Sequence, residues 1–507
     1  MTTIIDKSRP YITLNWLFKS CIINKTPPLK VIILLIALHL VGGCKKLIQI
    51  DSPINSVNAN NVFSLDATAA AVLTDVYTQM SRSALRNGDL TGLSLYAGLS
   101  ADEMIPANPN NDPFKYYYRN NLTSINPGGD HFWNKSYQYI FVANSAIEGI
   151  SNSNTLSPQV KKQLIGEAKF IRAFCYFYLV NLYGGVPLTT TTNYKINANL
   201  PRASIDNIYK QIILDLLDAQ SLLTENYSEA DAKTNTPITD RVRPNKWAAK
   251  AMLARVYLFI NEWQNAELES SEVIDHSSLF KLNSLDNAFL KNNSEAIWQL
   301  QPVNAIVTDN TEEGYIFILP MSGPNDFSNP VYLDDRFVES FEPGDHRKLK
   351  WLKSVTINGK VYNYPFKYKL GVRSTELKEY SMVLRLAEQY LIRAEARLHL
   401  HNINGTVMDL NVIRTRAREN SNIGLPNLLP TINEEQALNA IAYERRVELF
   451  SEWGHRWLDL KRTGKANDVL SALKGSDWQN TAQFYPIPQN ELDKNPNLKG
   501  HQNAGYN

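Results

Sequence analysis

The stretch from Gly166 to Leu188, GEAKFIRAFCYFYLVNLYGGVPL, constrains this chain more than any other. Leu164, Ala168, Ile171, Cys175, Tyr178 and Leu182 recur at alternating spacings of four and three, which places them on one face of a helix. Phe170, Phe174 and Phe177 widen that face into a broad apolar band, so the helix is expected in a core, packed among other helices. Arg172 and Asn181 interrupt the apolar run, and the stretch does not read as a membrane span. Gly184 and Gly185 supply the stop, because glycine tolerates the left-handed backbone that ends a helix; Pro187 prevents resumption.

A different apolar run lies near the amino terminus. Residues 31–41, VIILLIALHLV, follow Lys25 and Lys30 and are too short to span a bilayer comfortably, but they have the length of a signal-peptide core. The run leads straight into Val41-Gly42-Gly43-Cys44, and small side chains before a cysteine suit a lipoprotein signal peptidase. Residues 1–43 are therefore expected to be removed and Cys44 to become the lipidated N-terminus, followed by an extended tether from Lys45 to Pro53. The formal charge is only +2, and five basic residues and one acid lie within 1–43, so the remainder is close to neutral. That gives no electrostatic case for nucleic acid, which needs a concentrated basic face. Cys21 would leave with the leader and Cys175 lies in the apolar helix, so no disulfide framework remains and core burial must hold the fold.

Other helical patterns surround the central one. A helix is expected from Asp66 to Met80 with Asp66 as its cap, then a loop-rich region over 81–130. Trp133, Tyr137, Ile140, Phe141, Asn144 and Ile147 lie at helical spacing, as do Ile208, Ile212, Leu216 and Ala219. Pro244 to Ile274 reads as a helical hairpin with small residues at the crossing, the grammar of tetratricopeptide repeats; Leu386 to Ala417 is a looser echo. The two pairs share no fixed period and must pack together across long insertions. The segment 280–380 has another texture, with short β-prone runs at Ile297–Leu300, Tyr315–Leu319 and Thr356–Tyr362, the last interrupted by a hairpin signal at Asn358-Gly359. Short strands and long loops are expected there.

Four separated blocks carry a family resemblance. They are EAKFIRAFCYFYLVNLYGGVPL at Glu167–Leu188, RLAEQYLIRAEA at Arg385–Ala396, ERRVELFSEWGHRWLDLKRTG at Glu444–Gly464, and the YPIPQNE…NPNL…QNAGY tail from Tyr485. In this order, and with the Cys44 signal, they resemble the SusD/RagB family of nutrient-binding lipoproteins. The resemblance implies a mainly α fold: tetratricopeptide-like helix pairs form a scaffold under a loop-rich face with a few short strands. It divides the chain into a signal peptide (1–43), an N-terminal region (44–235) and a C-terminal region (236–507) with the loop-rich insertion at about 280–380. It implies no catalytic machinery and no cofactor. It also implies an outer-membrane, lipid-anchored protein facing outside, which captures an oligosaccharide, or alternatively a peptide, and delivers it to a SusC-type TonB-dependent transporter.

The residues themselves show neither a zinc HExxH, nor a GxSxG elbow, a P-loop or an EF-hand loop. His399 and His401 diverge on a helix, so no metal site is expected from them. Asp334-Asp335, or Glu444 with Glu448, could supply the two carboxylates of a surface glycosidase, but salt bridging to Arg445, Arg446 and Arg456 accounts for them better. A protein-only helical-repeat scaffold is the remaining class. Binding requires flat aromatics for the C–H faces of sugars and amides or carboxylates for their hydroxyls. The candidates are Tyr96, Asn111, Asp112, Tyr116, Tyr117 and Tyr118 in one loop stretch, and Tyr315 and Phe327 in another. Both stretches, 90–120 and 310–340, are expected to contribute to one shallow site away from the helix pairs, since loops on a rigid scaffold can vary without loss of the core.

Overall fold

The structure is a computed structural model that describes residues 62–82, 88–126, 130–234, 239–303, 310–371, 376–418 and 424–506; the leader 1–43, Cys44 and the tether after it lie outside these. Helix α1 (Asp66–Ser81) buries Ala69, Leu73, Val76 and Met80. Asp66 does not cap it: its carboxylate accepts from the backbone and hydroxyl of Ser157, at 2.9 and 2.7 Å, tying the start of α1 to a later helix. Helix α2 (Leu93–Ser100) replaces part of the expected loop. Its sequence, LSLYAGLS, has no charged face, and every residue of it is buried. Strand β1 (Met104–Pro106) and the short helix α3 (Phe114–Tyr118) follow.

The long helices come next: α4 (His131–Asn152), α5 (Pro158–Tyr183), α6 (Ile205–Leu222), α7 (Lys246–Phe259) and α8 (Trp263–Asp275). The signature helix is α5. It begins with Pro158 in its first turn, where a missing N–H costs nothing. It ends at Gly184, with φ 72° and ψ −137°, a positive φ but outside the left-handed helical well. Gly185 serves close approach, since a Cβ there would meet the carbonyl oxygen of Ala203 at 2.5 Å. Asn245 caps α7 through the N–H groups of Trp247 and Ala248.

The segment after α8 holds β2 (Ala296–Leu300), α9 (Glu312–Phe317), β3 (Val331–Leu333), β4 (Leu352–Ile357), β5 (Lys360–Pro365) and β6 (Ser381–Arg385). These strands form three two-stranded antiparallel sheets, β1–β3, β2–β6 and β4–β5. The β4–β5 turn is Asn358-Gly359, both at positive φ (52° and 82°), as expected of a tight hairpin. Tyr315 to Phe317 belong to a helix rather than to the expected strand. Thr311 caps it through the N–H of Gly314, and Glu312 and Glu313 favour its N-terminal turn, a local signal that outweighs the β-propensity of the aromatic run. The chain then returns to helix with α10 (Leu386–His399), α11 (Ile403–Ala417), α12 (Glu434–Leu449), α13 (His455–Arg462) and α14 (Ala466–Lys474).

Helices α4, α5, α6, α7, α8, α10, α11 and α12 pack in succession, each against the next, so the two helical hairpins read from the sequence are parts of one scaffold. The fold is mainly α, with few short strands, as expected. Small residues permit the close crossings: Thr406 of α11 donates its hydroxyl to the carbonyl of Ala394 in α10 at 3.0 Å. The β-bearing segment is not an appendage. Trp298 of β2 presents its ring edge-on to Phe170 (5.0 Å) and Phe174 (5.3 Å) of α5 and to Tyr77 (6.2 Å) of α1.

A buried ionic cluster joins the strands to the last helices. Arg385, 2 % exposed, donates to Glu452 (2.8 Å), Glu295 (3.0 Å) and Glu448 (2.6 Å). Arg347 pairs with Asp345, Glu444 and Glu448, and Arg414 with Glu342 and Glu444. Burial opposes the charge of Glu448, but Arg416, Arg385 and Arg347 outweigh it and hold that carboxyl well below the usual range. Glu444 and Glu448 are thus ion-paired, though not with the arginines expected. Arg445 pairs with Asp459, and Arg446 and Arg456 with Asp102.

Candidate functional site

The two loop stretches singled out in the sequence meet. Strand β1 runs antiparallel to β3, with Met104 opposite Leu333 and Pro106 opposite Val331. The junction continues past the strands, where the N–H of Ala107 donates to Pro330 (2.7 Å) and that of Asp334 to Glu103 (2.9 Å). Beyond it, the Asn108 amide donates to the Asp326 carboxylate (3.0 Å) and the Asn111 amide to the Asp326 carbonyl (3.1 Å). Asn329 fixes the junction from below: its buried amide lies 2.9–3.1 Å from the carbonyls of Tyr315, Ile316 and Ile318 at the end of α9.

The candidate residues divide by burial. Tyr96 and Tyr117 are core residues, at 0 % and 1 % exposure, and this corrects the expectation that they are ligand platforms. Tyr96 stacks on Phe114 (5.7 Å) and leans on Tyr117 (4.7 Å), which sits edge-on to Tyr485 (5.4 Å), leaving no free ring face. The cause is the two unpredicted helices: α2 turns Tyr96 inward, and α3 carries Tyr117 fully into the core while Tyr116 and Tyr118 pack partly buried against it. Tyr116 and Tyr118 are half-buried, Tyr315 is 50 % exposed and Phe327 78 % exposed. Asn111 is engaged by Asp326, and exposed Asp112 pairs with Lys115 at 2.7 Å.

The face also holds an aromatic pair drawn from two strands. Tyr332 of β3 and Tyr362 of β5 meet edge-on at 5.1 Å, with the Lys360 ammonium 5.1 and 4.7 Å from their centroids. The alternation of KVYNYP in β5 was the available signal for Tyr362. Charges here are largely paired. The hydrogen bond from Lys115 to Asp112 holds that ammonium above its usual range, and the bond to Tyr332 does the same for Lys360. Asp334 is held by Arg336 through two bonds of 3.0 and 2.8 Å, and Asp335 accepts from Asn363. Both carboxylates of the conceivable hydrolytic pair are therefore engaged. Half-exposed rings, amides and paired ions suit an uncharged ligand rich in hydroxyls.

Comparison with known proteins gives two family matches. A family described as starch-binding and associating with the outer membrane matches residues 56–258, and the SusD family matches residues 350–506. A SusD-like protein of Formosa agariphila is 27 % identical over 431 residues, covering 74 % of this chain and 79 % of that protein. Another from the same organism is 26 % identical over 534 residues, covering 94 % and 99 %. Among solved structures, a laminarin-binding SusD-like protein superposes with a TM-score of 0.69 at 24 % identity, covering 86 % of this chain and 99 % of its own; that likeness is one of fold.

Proposed function

The chain belongs to the SusD/RagB family, and on that premise we propose that it is a cell-surface lipoprotein that binds an oligosaccharide on the β1–β3 face and delivers it to a SusC-type TonB-dependent outer-membrane transporter. The observation that carries this reading is that β1–β3 pairing joins the stretch bearing half-buried Tyr116 and Tyr118 to the stretch bearing the exposed rings of Tyr315 and Phe327. Starch and laminarin, the glycans in the descriptions of the family and of one relative, are uncharged, which fits a face whose charges are largely paired. The protein acts by binding alone, and incubation with glycans should yield no product.

Alanine at Phe327 or at Tyr315 should weaken binding by about 1–3 kcal/mol each, in the manner of anchor residues at interfaces. The melting temperature should stay unchanged, because neither ring is in the core. Calorimetric titration against a panel of uncharged oligosaccharides, with thermal melts of the same samples, checks both. Full affinity in both variants would place the ligand elsewhere. The anchor is tested separately. Cys44→Ala should move the protein from the membrane fraction to the soluble fraction, and retention at the wild-type level would rule out lipidation at Cys44.

A further inference from the structure

A groove of about 340 Å³ lies between α4, the strap that follows α5 and the short helix Gln489–Lys494 of the tail, and none of its lining residues belongs to the loop face. Its accessible floor is aromatic. Phe141, 53 % exposed, and half-buried Tyr137 stand one turn apart on the same side of α4 and both line the groove. Trp133, a turn earlier, backs Tyr137 at 5.0 Å. On the strap side the lining includes Ala198, too small to cover a ring.

The walls are fixed in place. Asn144 donates to the carbonyl of Thr189 (3.1 Å), and Glu148 accepts from the hydroxyl of Thr191 (2.8 Å) and the N–H of Thr192 (2.9 Å), which pins the strap to α4. Asn495 donates to the carbonyl of Leu200 (2.8 Å) and Asn497 to that of Asn199 (2.6 Å), which pins the strap to the tail. A strap tied on both sides does not fold over Phe141, so the ring stays open and the groove is formed before any ligand arrives.

On the tail side the groove is lined by Glu491 and Lys494, whose carboxylate and ammonium stand 4.0 Å apart on side chains 31 % and 72 % exposed. Each largely cancels the field of the other, so the pair attracts no net charge, yet it sets an acceptor beside a donor. Adjacent hydroxyls of a sugar match that arrangement, and the C–H face of the same ring matches the aromatic floor. An alkyl chain or an apolar helix in the groove would take both charges out of water without giving them partners.

We propose that this groove is a second sugar site, in which Phe141 and Tyr137 receive the C–H face of an uncharged oligosaccharide while Glu491 accepts from its hydroxyls and Lys494 donates to them. The site stands apart from the loop face and does not depend on it.

The test is fluorine NMR of the mature full-length protein labelled with 4-fluorophenylalanine. The resonance missing from Phe141→Leu belongs to Phe141, and the one missing from Phe327→Leu belongs to Phe327; both rings are exposed, so both variants should fold normally. Maltotriose and laminaritriose are the probes, with cyclohexanol as a ring that has a single hydroxyl. At least one trisaccharide should shift the Phe141 resonance saturably, and should do so equally in Phe327→Leu. Lys494→Ala and Glu491→Ala should each weaken that response by about tenfold, the loss expected when a contact worth about 1.4 kcal/mol is removed, and leave the Phe327 response unchanged. Cyclohexanol should bind more weakly still. A Phe141 resonance that stays in place with both sugars at millimolar concentration would overturn the proposal, as would an equal response to cyclohexanol or full affinity in both tail variants. A saturable shift at Phe141 with none at Phe327 would count against the loop-face site alone, so the two readings fail separately.

Discussion

Replacing Arg385 by methionine is expected to lower the free energy of unfolding by about 3–5 kcal/mol, the range for breaking a buried ion pair by removing one partner. Arg385 lies at the junction of β6 and α10 and binds three carboxylates, Glu295, Glu448 and Glu452. Methionine fills much of the same volume, so the loss comes from charges left behind rather than from a cavity. Glu448 retains Arg347 and Arg416, and Glu452 retains Lys367, but each loses its share of Arg385 inside a site that water does not reach. Urea denaturation of the purified variant measures the effect. A loss below about 1 kcal/mol would mean that the cluster is solvated like a surface salt bridge.

Trp298→Ala should have an effect of similar size, about 3–5 kcal/mol, as large aromatic truncations in cores do. The ring fills the space between α1 and α5, and its indole N–H donates to the carbonyl of Val242 at 2.9 Å. Truncation therefore leaves both a void and an unpaired carbonyl. The denaturation midpoint should fall with the slope unchanged, because the strand unfolds together with the helices. If the segment 280–380 were an independent appendage, the main transition would stay where it is.

That segment also marks the limit of what the sequence revealed. Its strands at Ile297–Leu300 and Thr356–Tyr362 were legible, the second because Asn358-Gly359 admits few other conformations. Its place in the core was not legible, because alternation within a strand says nothing about which helix the strand meets. The long helices were readable because their apolar residues repeat over several turns. Helix α2 was not, because LSLYAGLS is apolar throughout and carries no period at all. The same cause misplaced Tyr96. Tyr116, Tyr117 and Tyr118 show the complementary limit: three identical neighbours look alike in the sequence, and only the turn of α3 decides that the middle one faces the core. For the ionic cluster, residue type was informative and pairing was not, since Glu444 reaches Arg347 and Arg414 rather than the arginines beside it in the chain.

The strand pairing beneath the candidate ligand face has a consequence for how the molecule comes into being. Asn108 and Asp326, which bind each other across it, stand 218 positions apart. Bringing such distant segments together loses chain entropy before any contact compensates for it. Contacts of this kind are expected late in folding, after helices that need only near neighbours. A nascent or truncated chain that stops short of Val331 has Tyr116 and Tyr118 but lacks the strand that pairs with β1. On the proposed function, recognition is thereby withheld from partly built molecules, and capture of ligand becomes a property of the finished chain alone.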